Sequence, residues 1–449
     1  MDMVAGCRIG INHSFGTLAG ELRMTIEEQV QLAKNAALGL AAATTEVKNS
    51  ALERVARSID ENREEIQSAN ELDIEDAEKA NLTPALIKRL KLDRQKIDEM
   101  IEGVRSVISL ADPVGNVLSA TELDESLTLY KVSTPIGLIG VIFESRPDAL
   151  VQIGTLGIKS GNAVVLKGGS EAKRSNRILF NLIKDAIEED AIFKDTIQLV
   201  ETREDVRELL KLDSHIDLMI PRGSNALVKY VQENTKIPVL GHSDGLCHVY
   251  IDKDIDLDMA VDIAFDSKCQ YAAVCNAMES LLVHADVADE FLPRVKARYD
   301  AESVELRGGD RVRAVIGCDL ASDEDWITEY NDLILSIRIV DSVEDAIDHI
   351  NRYGSHHTDA IVTSDEKTAE RFMEGVDSSS VMWNCSTRFS DGFRYGLGSE
   401  VGISTGKIHS RGPVGLEGLT IYKYKLIGTG QIVADYADGT RQFTHRQVA

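Results

Sequence analysis

Short apolar runs alternate with helical stretches along most of the chain, and this alternation constrains the fold more than any other feature. Runs typical of buried strands form two series: 136–143, 163–166, 196–200 and 216–220, then 248–251, 280–283, 334–340 and 359–363. Segments with helical spacing of apolar residues, such as 171–187 and 225–233, separate the runs. Strands that alternate with helices are typical of parallel, doubly wound sheets. The sequence therefore predicts an α/β fold with two such sheets.

Two segments, 121–132 and 419–434, alternate in polarity like exposed β ribbons. The edge of a ribbon needs a partner strand, from the same chain or from another subunit. Residues 25–110 show helical spacing instead, as in Ala51, Val55 and Ile59. We therefore expect a β-ribbon oligomerisation element beside the two sheets, and a homo-oligomer.

Charge and cysteine content exclude several classes of protein. The 449 residues carry a formal net charge of −25, which repels nucleic acid and anionic lipid. No apolar run reaches the ~18 residues that span a bilayer. Six scattered cysteines without a CxxC pair predict a reducing, cytoplasmic location and no structural zinc. Residues 1–24 lack the features of a secretory signal, so we expect either a disordered extension or a start site placed too far upstream.

Two glycine-containing turns are candidates for phosphate binding. Lys167-Gly168-Gly169-Ser170-Glu171 and Pro221-Arg222-Gly223-Ser224-Asn225 each follow a predicted strand and precede a predicted helix. Free N–H groups at a helix N-terminus bind phosphate well. Taken singly, each turn is more often an ordinary strand-to-helix connection, and no G-x-G-x-x-G motif is present. Two such turns in series favour a dinucleotide site.

Cys275 is the strongest candidate for a nucleophile. It lies in the small-residue loop KCQYAAVCNA, which leaves room for a substrate before the strand at 280–283. Cys269 is a rival six residues upstream, with bulkier polar neighbours. Most cysteines in such a chain are small buried hydrophobes, and we expect this of Cys247, Cys318 and Cys385.

Several long stretches of the sequence resemble the γ-glutamyl phosphate reductases, also called glutamate-5-semialdehyde dehydrogenases, of the aldehyde dehydrogenase superfamily. They are TPIGLIGVIFESRPD (134–148), VVLKGGSEAKRSN (164–176), IPRGSNALV (220–228), CHVYID (247–252), VCNAMESLLVH (274–284), YGSHHTDAIVTSD (353–365), NCSTRFSDGFRYGLGSEVGIST (384–405) and HSRGPVGLEGLTIYKY (409–424). The resemblance runs from about residue 25 to the end. It implies NADPH-dependent reduction of L-glutamyl 5-phosphate to the semialdehyde, the second step of proline biosynthesis. A separate glutamate kinase would supply the substrate.

The resemblance also implies domain limits. The fold would be aldehyde-dehydrogenase-like, with residues 25–118 and 133–246 forming the NADP-binding domain and residues 247–417 forming the catalytic domain. Residues 119–132 and 418–449 would form the oligomerisation ribbon and tail. An aldehyde dehydrogenase that acts on another acyl phosphate or acyl thioester is the alternative within this class. A catalytically inactive relative is the alternative outside it, and the intact Cys275 speaks against it.

Carried over residue by residue, Cys275 matches the nucleophile of the family and Lys167 the lysine that binds the adenosine ribose. Gly168 belongs to the same turn. NAD-preferring relatives have a glutamate three residues after the lysine; here Ser170 stands there, which implies NADP. Gly223 and Ser224 match the turn over the pyrophosphate. Glu329 matches, more loosely, a residue that faces the nicotinamide ribose.

The oxyanion and base positions depart from the hydrolytic members. Ser145 stands where those enzymes carry an oxyanion-hole asparagine, so the backbone N–H of Cys275 and the side chain of Asn276 become candidate donors. The stretch 241–245 lacks the glutamate that activates water on a thioester. A reductase needs no such water. The thiol still needs a lowered pKa, from a helix N-terminus or from a cation such as Lys268.

Candidate substrate contacts carry positive charge. Arg146 and Arg388 are expected to bind the carboxylate and phosphate of the substrate, because a guanidinium suits both groups. A structural ion pair is an equally good interpretation of each arginine. His357 is a further candidate, although His356, His357 and Asp359 could equally form a structural turn.

Overall fold

The computed structural model describes residues 24–242 and 244–448. The extension predicted for residues 1–24 lies outside this range except for Met24. Helices come first in the described chain: α1 Ile26–Leu40, α2 Thr45–Glu61, α3 Arg63–Lys79, α4 Pro84–Leu90 and α5 Arg94–Ser109. On α2 the helical spacing seen in the sequence buries Leu52, Val55 and Ile59 completely.

A hairpin and the first parallel sheet follow. The strands are β1 Val117–Asp124, β2 Leu127–Pro135, β3 Leu138–Phe143, β4 Ala163–Lys167, β5 Ile197–Leu199 and β6 Leu218–Arg222. The helices between them are α6 Pro147–Ser160, α7 Lys173–Glu188, α8 Arg203–Leu209 and α9 Asn225–Asn234. The parallel sheet has the order β5-β4-β3-β6. The chain winds outward from β3 to β5 and then returns to place β6 on the other side of β3.

This strand order opens a crevice at the carboxyl ends of β3 and β6, because the crossovers from these two neighbours leave in opposite directions. Open α/β sheets bind ligands at such a point. The six residues of β3 are all buried, as its continuous apolar run predicts. Helices α2, α5, α6 and α7 pack together over one face of the sheet.

The second parallel sheet has seven strands in the order β10-β9-β11-β8-β7-β12-β13. They are β7 Cys247–Ile251, β8 Met278–His284, β9 Glu305–Gly308, β10 Asp319–Leu320, β11 Ile334–Val340, β12 Thr358–Val362 and β13 Ser380–Trp383. The associated helices are α10 Leu257–Cys269, α11 Ala285–Ala301, α12 Asp310–Ile316, α13 Val343–Tyr353 and α14 Glu366–Gly375. The predicted α/β fold with two parallel sheets is confirmed. The short strands β9, β10 and β13 were not predicted from the apolar runs of the sequence.

The tail contributes β14 Ile403–Ser404, β15 Gly412–Pro413, β16 Thr420–Ile427, α15 Val433–Ala437 and β17 Arg446–Gln447. Strand β16 pairs antiparallel with β2, and the ribbon sheet has the order β16-β2-β1-β17. The ribbon predicted for 419–434 is therefore too long, since the strand ends at Ile427 before Gly428. The segment 121–132 is a hairpin whose second strand lies inside the sheet, so among the described strands of this sheet β16 presents the predicted long edge.

No helix within the described residues is both long and apolar enough to cross a membrane. The division of the chain into domains at the limits given above stays a prediction.

Candidate active site

Cys275 lies at the amino-terminal edge of the second parallel sheet, the one with seven strands. It precedes β8 by three residues, Gly245 precedes β7 by two, and His357 directly precedes β12. Because the strand order is β8-β7-β12, these three positions lie side by side. Gly245 must be a glycine here: a Cβ atom built on it would lie 2.2 Å from the carbonyl oxygen and 2.4 Å from the Cα atom of Cys275.

Two histidines lie close to the thiol of Cys275. One nitrogen of His242, one nitrogen of His357 and the Sγ atom of Cys275 all lie within 4.8 Å of one another. The Nδ1 atom of His242 is 3.1 Å from the carbonyl oxygen of Ile403. A carbonyl oxygen only accepts hydrogen bonds, so Nδ1 carries the proton and Nε2 keeps a lone pair. A role for His242 was not predicted from the sequence, because segment 241–245 was noted only for lacking a glutamate.

His357 is fully buried, and its Nδ1 atom is 2.9 Å from Oγ1 of Thr358. Its Nε2 atom has no hydrogen-bond partner among the described residues. Burial holds the pKa of both histidines below the usual value, so both rings are neutral. His357 was predicted to bind substrate; the structure places it beside the candidate nucleophile.

The resting thiol of Cys275 keeps its proton. Burial raises its pKa to about 12, the carboxylates of Glu400 and Glu329 act in the same direction, and Arg388 opposes them. Lys268, named above as a possible activating cation, has its Nζ atom 2.6 Å from Oε2 of Glu279, and both side chains are buried. The charge of Lys268 is thus already paired. A base is needed for the thiol proton, and the free Nε2 lone pair of His242 suits that role.

Arg388 and Arg222 interact electrostatically with Cys275, and Arg146 lies near Arg222. Arg388 donates from Nε to Oε1 of Gln270 at 2.9 Å, and Arg146 pairs through Nη2 with Oδ2 of Asp148 at 2.9 Å. The third, Arg222, stands in the second phosphate turn and was not singled out in the sequence. Burial, with Arg146 as the next cause, lowers the pKa of Arg222 to about 10. Arg388 and Arg222 donate to the uncharged amide oxygens of Gln270 and Gln152, so both guanidinium groups suit an anionic ligand.

Glu400 balances this positive charge and was also missed. Its Oε2 atom accepts the backbone N–H of Gly392 at 2.9 Å, and its backbone oxygen accepts a hydrogen bond from Nη1 of Arg222 at 3.3 Å. Burial raises the pKa of the Glu400 carboxyl. The pocket at the cysteine therefore contains groups of both signs, as a zwitterionic substrate requires.

Carboxylates occupy the turns of the nucleotide crevice. The backbone N–H of Ser224 donates to Oε2 of Glu144 at 2.7 Å. The backbone N–H and the hydroxyl of Ser145 both donate to Oε1 of Glu171 at 2.7 Å, and Ser145 has φ of +44°. Burial lowers the pKa of Lys167, while Glu171 and Glu144 oppose this shift. The N–H of Ser224, which was expected to face phosphate, therefore points at a carboxylate.

Glu329 connects the crevice with the cysteine. Its Oε2 atom accepts from Nδ2 of Asn225, the first residue of α9, at 3.2 Å. Glu329 also acts electrostatically on Cys275. Glu329 therefore links the second turn, at the start of α9, to the candidate nucleophile.

Neighbouring side chains hold the cysteine loop. Asn276, a candidate oxyanion donor, donates from Nδ2 to the backbone oxygen of Ser390 at 2.8 Å. Cys247 donates from Sγ to the backbone oxygen of Cys275 at 3.2 Å, a contact beyond the simple packing expected of it. Asp359 accepts from the backbone N–H of His248 at 2.8 Å and also lies 2.8 Å from its Nδ1, which makes Asp359 structural.

Comparison with known proteins shows the family to which the chain belongs. The model of the aldehyde dehydrogenase family matches residues 12–314. The γ-glutamyl phosphate reductase of Pelotomaculum thermopropionicum is 58% identical over 425 residues, covering 95% of this chain and 98% of that protein. The chain belongs to the γ-glutamyl phosphate reductase family, a branch of the aldehyde dehydrogenases.

Other members of the family are similar over the same extent. The γ-glutamyl phosphate reductase of Methanococcoides burtonii is 56% identical over 435 residues, 94% of this chain and 97% of that one. The crystal structure of γ-glutamyl phosphate reductase from Thermotoga maritima superposes with a TM-score of 0.89 at 39% identity, covering 91% of this chain and all of that one. The predicted aldehyde-dehydrogenase-like fold is confirmed, and the chain is an oxidoreductase of that type.

Proposed function

We propose that the protein reduces L-glutamyl 5-phosphate to L-glutamate 5-semialdehyde with NADPH, releasing phosphate, as the second step of proline biosynthesis. The observation that carries the proposal is Cys275 beside Arg222, Arg388 and Glu329, with Glu329 hydrogen-bonded to the second glycine-containing turn. The family membership and the activity for which its relatives are named support the same reaction. A separate glutamate kinase would supply the acyl phosphate, and we place both enzymes in the cytoplasm.

The reaction divides at Cys275. His242 accepts the thiol proton, the sulfur attacks the acyl carbon, and the bond from that carbon to the phosphate oxygen breaks. The resulting thioester is a better hydride acceptor than a carboxylate. NADPH supplies the hydride when it is bound. Collapse of the thiohemiacetal breaks the C–S bond, releases the aldehyde and regenerates the thiol. The backbone N–H of Cys275 and the side chain of Asn276 are the proposed donors to the developing oxyanion.

The residues of the crevice fit a dinucleotide phosphate. A Cβ atom on Gly168 would lie 2.1 Å from Nδ2 of Asn176, so the packing of the turn after β4 requires a glycine there. Gly223 and Ser224 provide the turn at the N-terminus of α9, where phosphate binds well. The carboxylate of Glu144 accepts the N–H of Ser224 in this structure, and an incoming phosphate would displace that carboxylate.

The choice of NADP rests on Lys167 and Ser170. Lys167 would hold the adenosine ribose, and the hydroxyl of Ser170 can donate to a 2′-phosphate, which a glutamate at this position would repel. Glu329 would contact the nicotinamide ribose.

Substrate recognition would use charges of both signs. Arg146, Arg222 and Arg388 are proposed to hold the phosphate and the α-carboxylate, which suit the guanidinium fork. Glu400 would pair with the α-ammonium. Ser145 and His357 line the approach to the thiol.

The reverse reaction tests the proposal. Purified protein is supplied with glutamate-5-semialdehyde, phosphate and NADP⁺, and the absorbance of the reduced cofactor is followed. We expect a signal that requires phosphate, that Cys275→Ala abolishes and that Cys269→Ala retains. Absence of phosphate dependence contradicts the acyl phosphate reaction. A signal that instead requires coenzyme A would indicate the alternative, an enzyme acting on an acyl thioester.

A further inference from the structure

We propose that Cys275, His242 and His357 form a reversible binding site for a soft divalent cation such as Zn²⁺, which silences the nucleophile as a metal thiolate. The site would regulate the protein and would have no part in turnover. The proposed ion binds reversibly, so the proposal is compatible with the prediction that the chain has no structural zinc.

The donor set suits this class of ion. One thiolate and two imidazoles are ligands that zinc prefers, and three protein ligands leave a fourth position for water. The three donor atoms lie within 4.8 Å of one another. In a tetrahedral site with bonds of about 2.0–2.3 Å the donors stand roughly 3.3–3.6 Å apart. Closing the cluster therefore requires a movement of about 1.5 Å at most, within reach of side-chain rotation.

An independent observation is the state of the two rings. His357 is fully buried, yet its Nε2 atom has no partner within the described chain. A buried polar atom without a partner is costly, and a metal ion would satisfy it. The hydrogen bond from Nδ1 of His242 to Ile403 fixes the tautomer that presents a lone pair at Nε2. Metal-binding histidines commonly donate their other nitrogen to a backbone carbonyl in this way.

The surroundings favour a cation and admit it. The carboxylates of Glu329 and Glu400 act on Cys275, and each would stabilise positive charge at the sulfur. His242 and Cys275 are only partly buried, so the cluster opens into the cleft. On binding, the S–H bond breaks, a bond from sulfur to the metal forms, and the proton goes to solvent. No oxidant or reductant is needed.

Absorbance of a cadmium thiolate tests the site directly. Metal-free, full-length protein is titrated with Cd²⁺, and the thiolate-to-cadmium charge-transfer band in the near ultraviolet is followed. We expect one equivalent to bind and Zn²⁺ to displace it. Cys275→Ser should remove the band, whereas Cys269→Ser, the matched control, should retain it. His242→Gln and His357→Gln should each weaken binding at least about tenfold.

Three results would overturn the proposal: no band, a band that persists in Cys275→Ser, or affinities in both histidine variants equal to that of the wild type. Thermal melting checks the fold of each variant. If the buried His357→Gln variant does not fold, the variant of the partly exposed His242 decides. The band needs no turnover, so its outcome is independent of the reductase assay. Addition of EDTA should remove the metal and restore alkylation of Cys275 by iodoacetamide.

Discussion

The Nζ atom of Lys268 lies 2.6 Å from Oε2 of Glu279, and this buried ion pair joins the two ends of the loop that carries Cys275. Lys268 stands in the last turn of α10 and Glu279 in the second position of β8. The other carboxylate oxygen of Glu279 accepts the backbone N–H of Asn331 at 3.2 Å. The pair therefore fixes the loop and supplies no charge to the thiol.

Replacing Lys268→Met should destabilise the protein by about 1–3 kcal/mol, because the buried Glu279 carboxyl loses its hydrogen-bonded partner. Urea unfolding at neutral pH measures the change. The double variant Lys268→Met with Glu279→Leu removes both charges and should recover much of the loss. A single variant within about 1 kcal/mol of the wild type would show that the pair does not hold the loop.

The same pair gives stability a pH dependence. Burial raises the pKa of Glu279 to about 7, although Lys268 opposes this shift. An acid whose pKa is higher in the folded than in the unfolded protein costs stability as it ionises. The wild type should therefore lose stability relative to Glu279→Gln as the pH rises from about 4.5 to about 7. Unfolding free energies of both proteins across this window provide the measurement. If the wild type instead gains stability relative to Glu279→Gln as the pH rises, the assignment is contradicted.

Gly245→Ala should reduce activity about a hundredfold or more, because the added methyl group would displace the backbone of Cys275, and small displacements of a reacting group are costly. The reverse-reaction assay measures the loss. Gly103→Ala is the matched control, since nothing lies within 4 Å of a Cβ atom at that helical position. Full activity of Gly245→Ala would mean that the cysteine loop tolerates the shift.

Much of the fold follows from the sequence, whereas much of the site does not. The apolar runs predicted β3 and β4 because these strands are buried on both faces. Strand β5 shrinks to three residues, a limit that no pattern marks. Cys275 and His357 are distant in sequence and meet only through the strand order β8-β7-β12, which periodicity does not encode.

Other parts of the site depend on side-chain direction. Glu144 binds the N–H of Ser224, which the sequence assigns to phosphate, and Glu171 binds the N–H of Ser145. Arg222 was visible in its motif, but only the structure shows that it is buried beside Arg146. The resemblance identified Cys275 among six cysteines. It did not identify His242, because nothing in a loop sequence shows which ring nitrogen is free.

Ser170→Glu should weaken the binding of NADPH at least about tenfold, or about 1.4 kcal/mol, because the new carboxylate would repel the 2′-phosphate. NADH lacks that phosphate and should be affected much less. The ratio of kcat/KM for the two cofactors measures the effect, and Ser170→Ala controls for loss of the hydroxyl alone. Equal losses for both cofactors would show that position 170 does not face the 2′-phosphate.

The edge strand β16 should be the site of self-association. Its Tyr424, Leu426 and Ile427 side chains are largely exposed, and an exposed apolar edge strand favours pairing with another chain. Leu426→Asp should therefore yield a smaller species in light scattering coupled to size-exclusion chromatography. Leu38→Asp changes an even more exposed leucine on α1 and should leave the assembly intact. If Leu426→Asp keeps the mass of the wild type, the oligomer, if one forms, uses another surface.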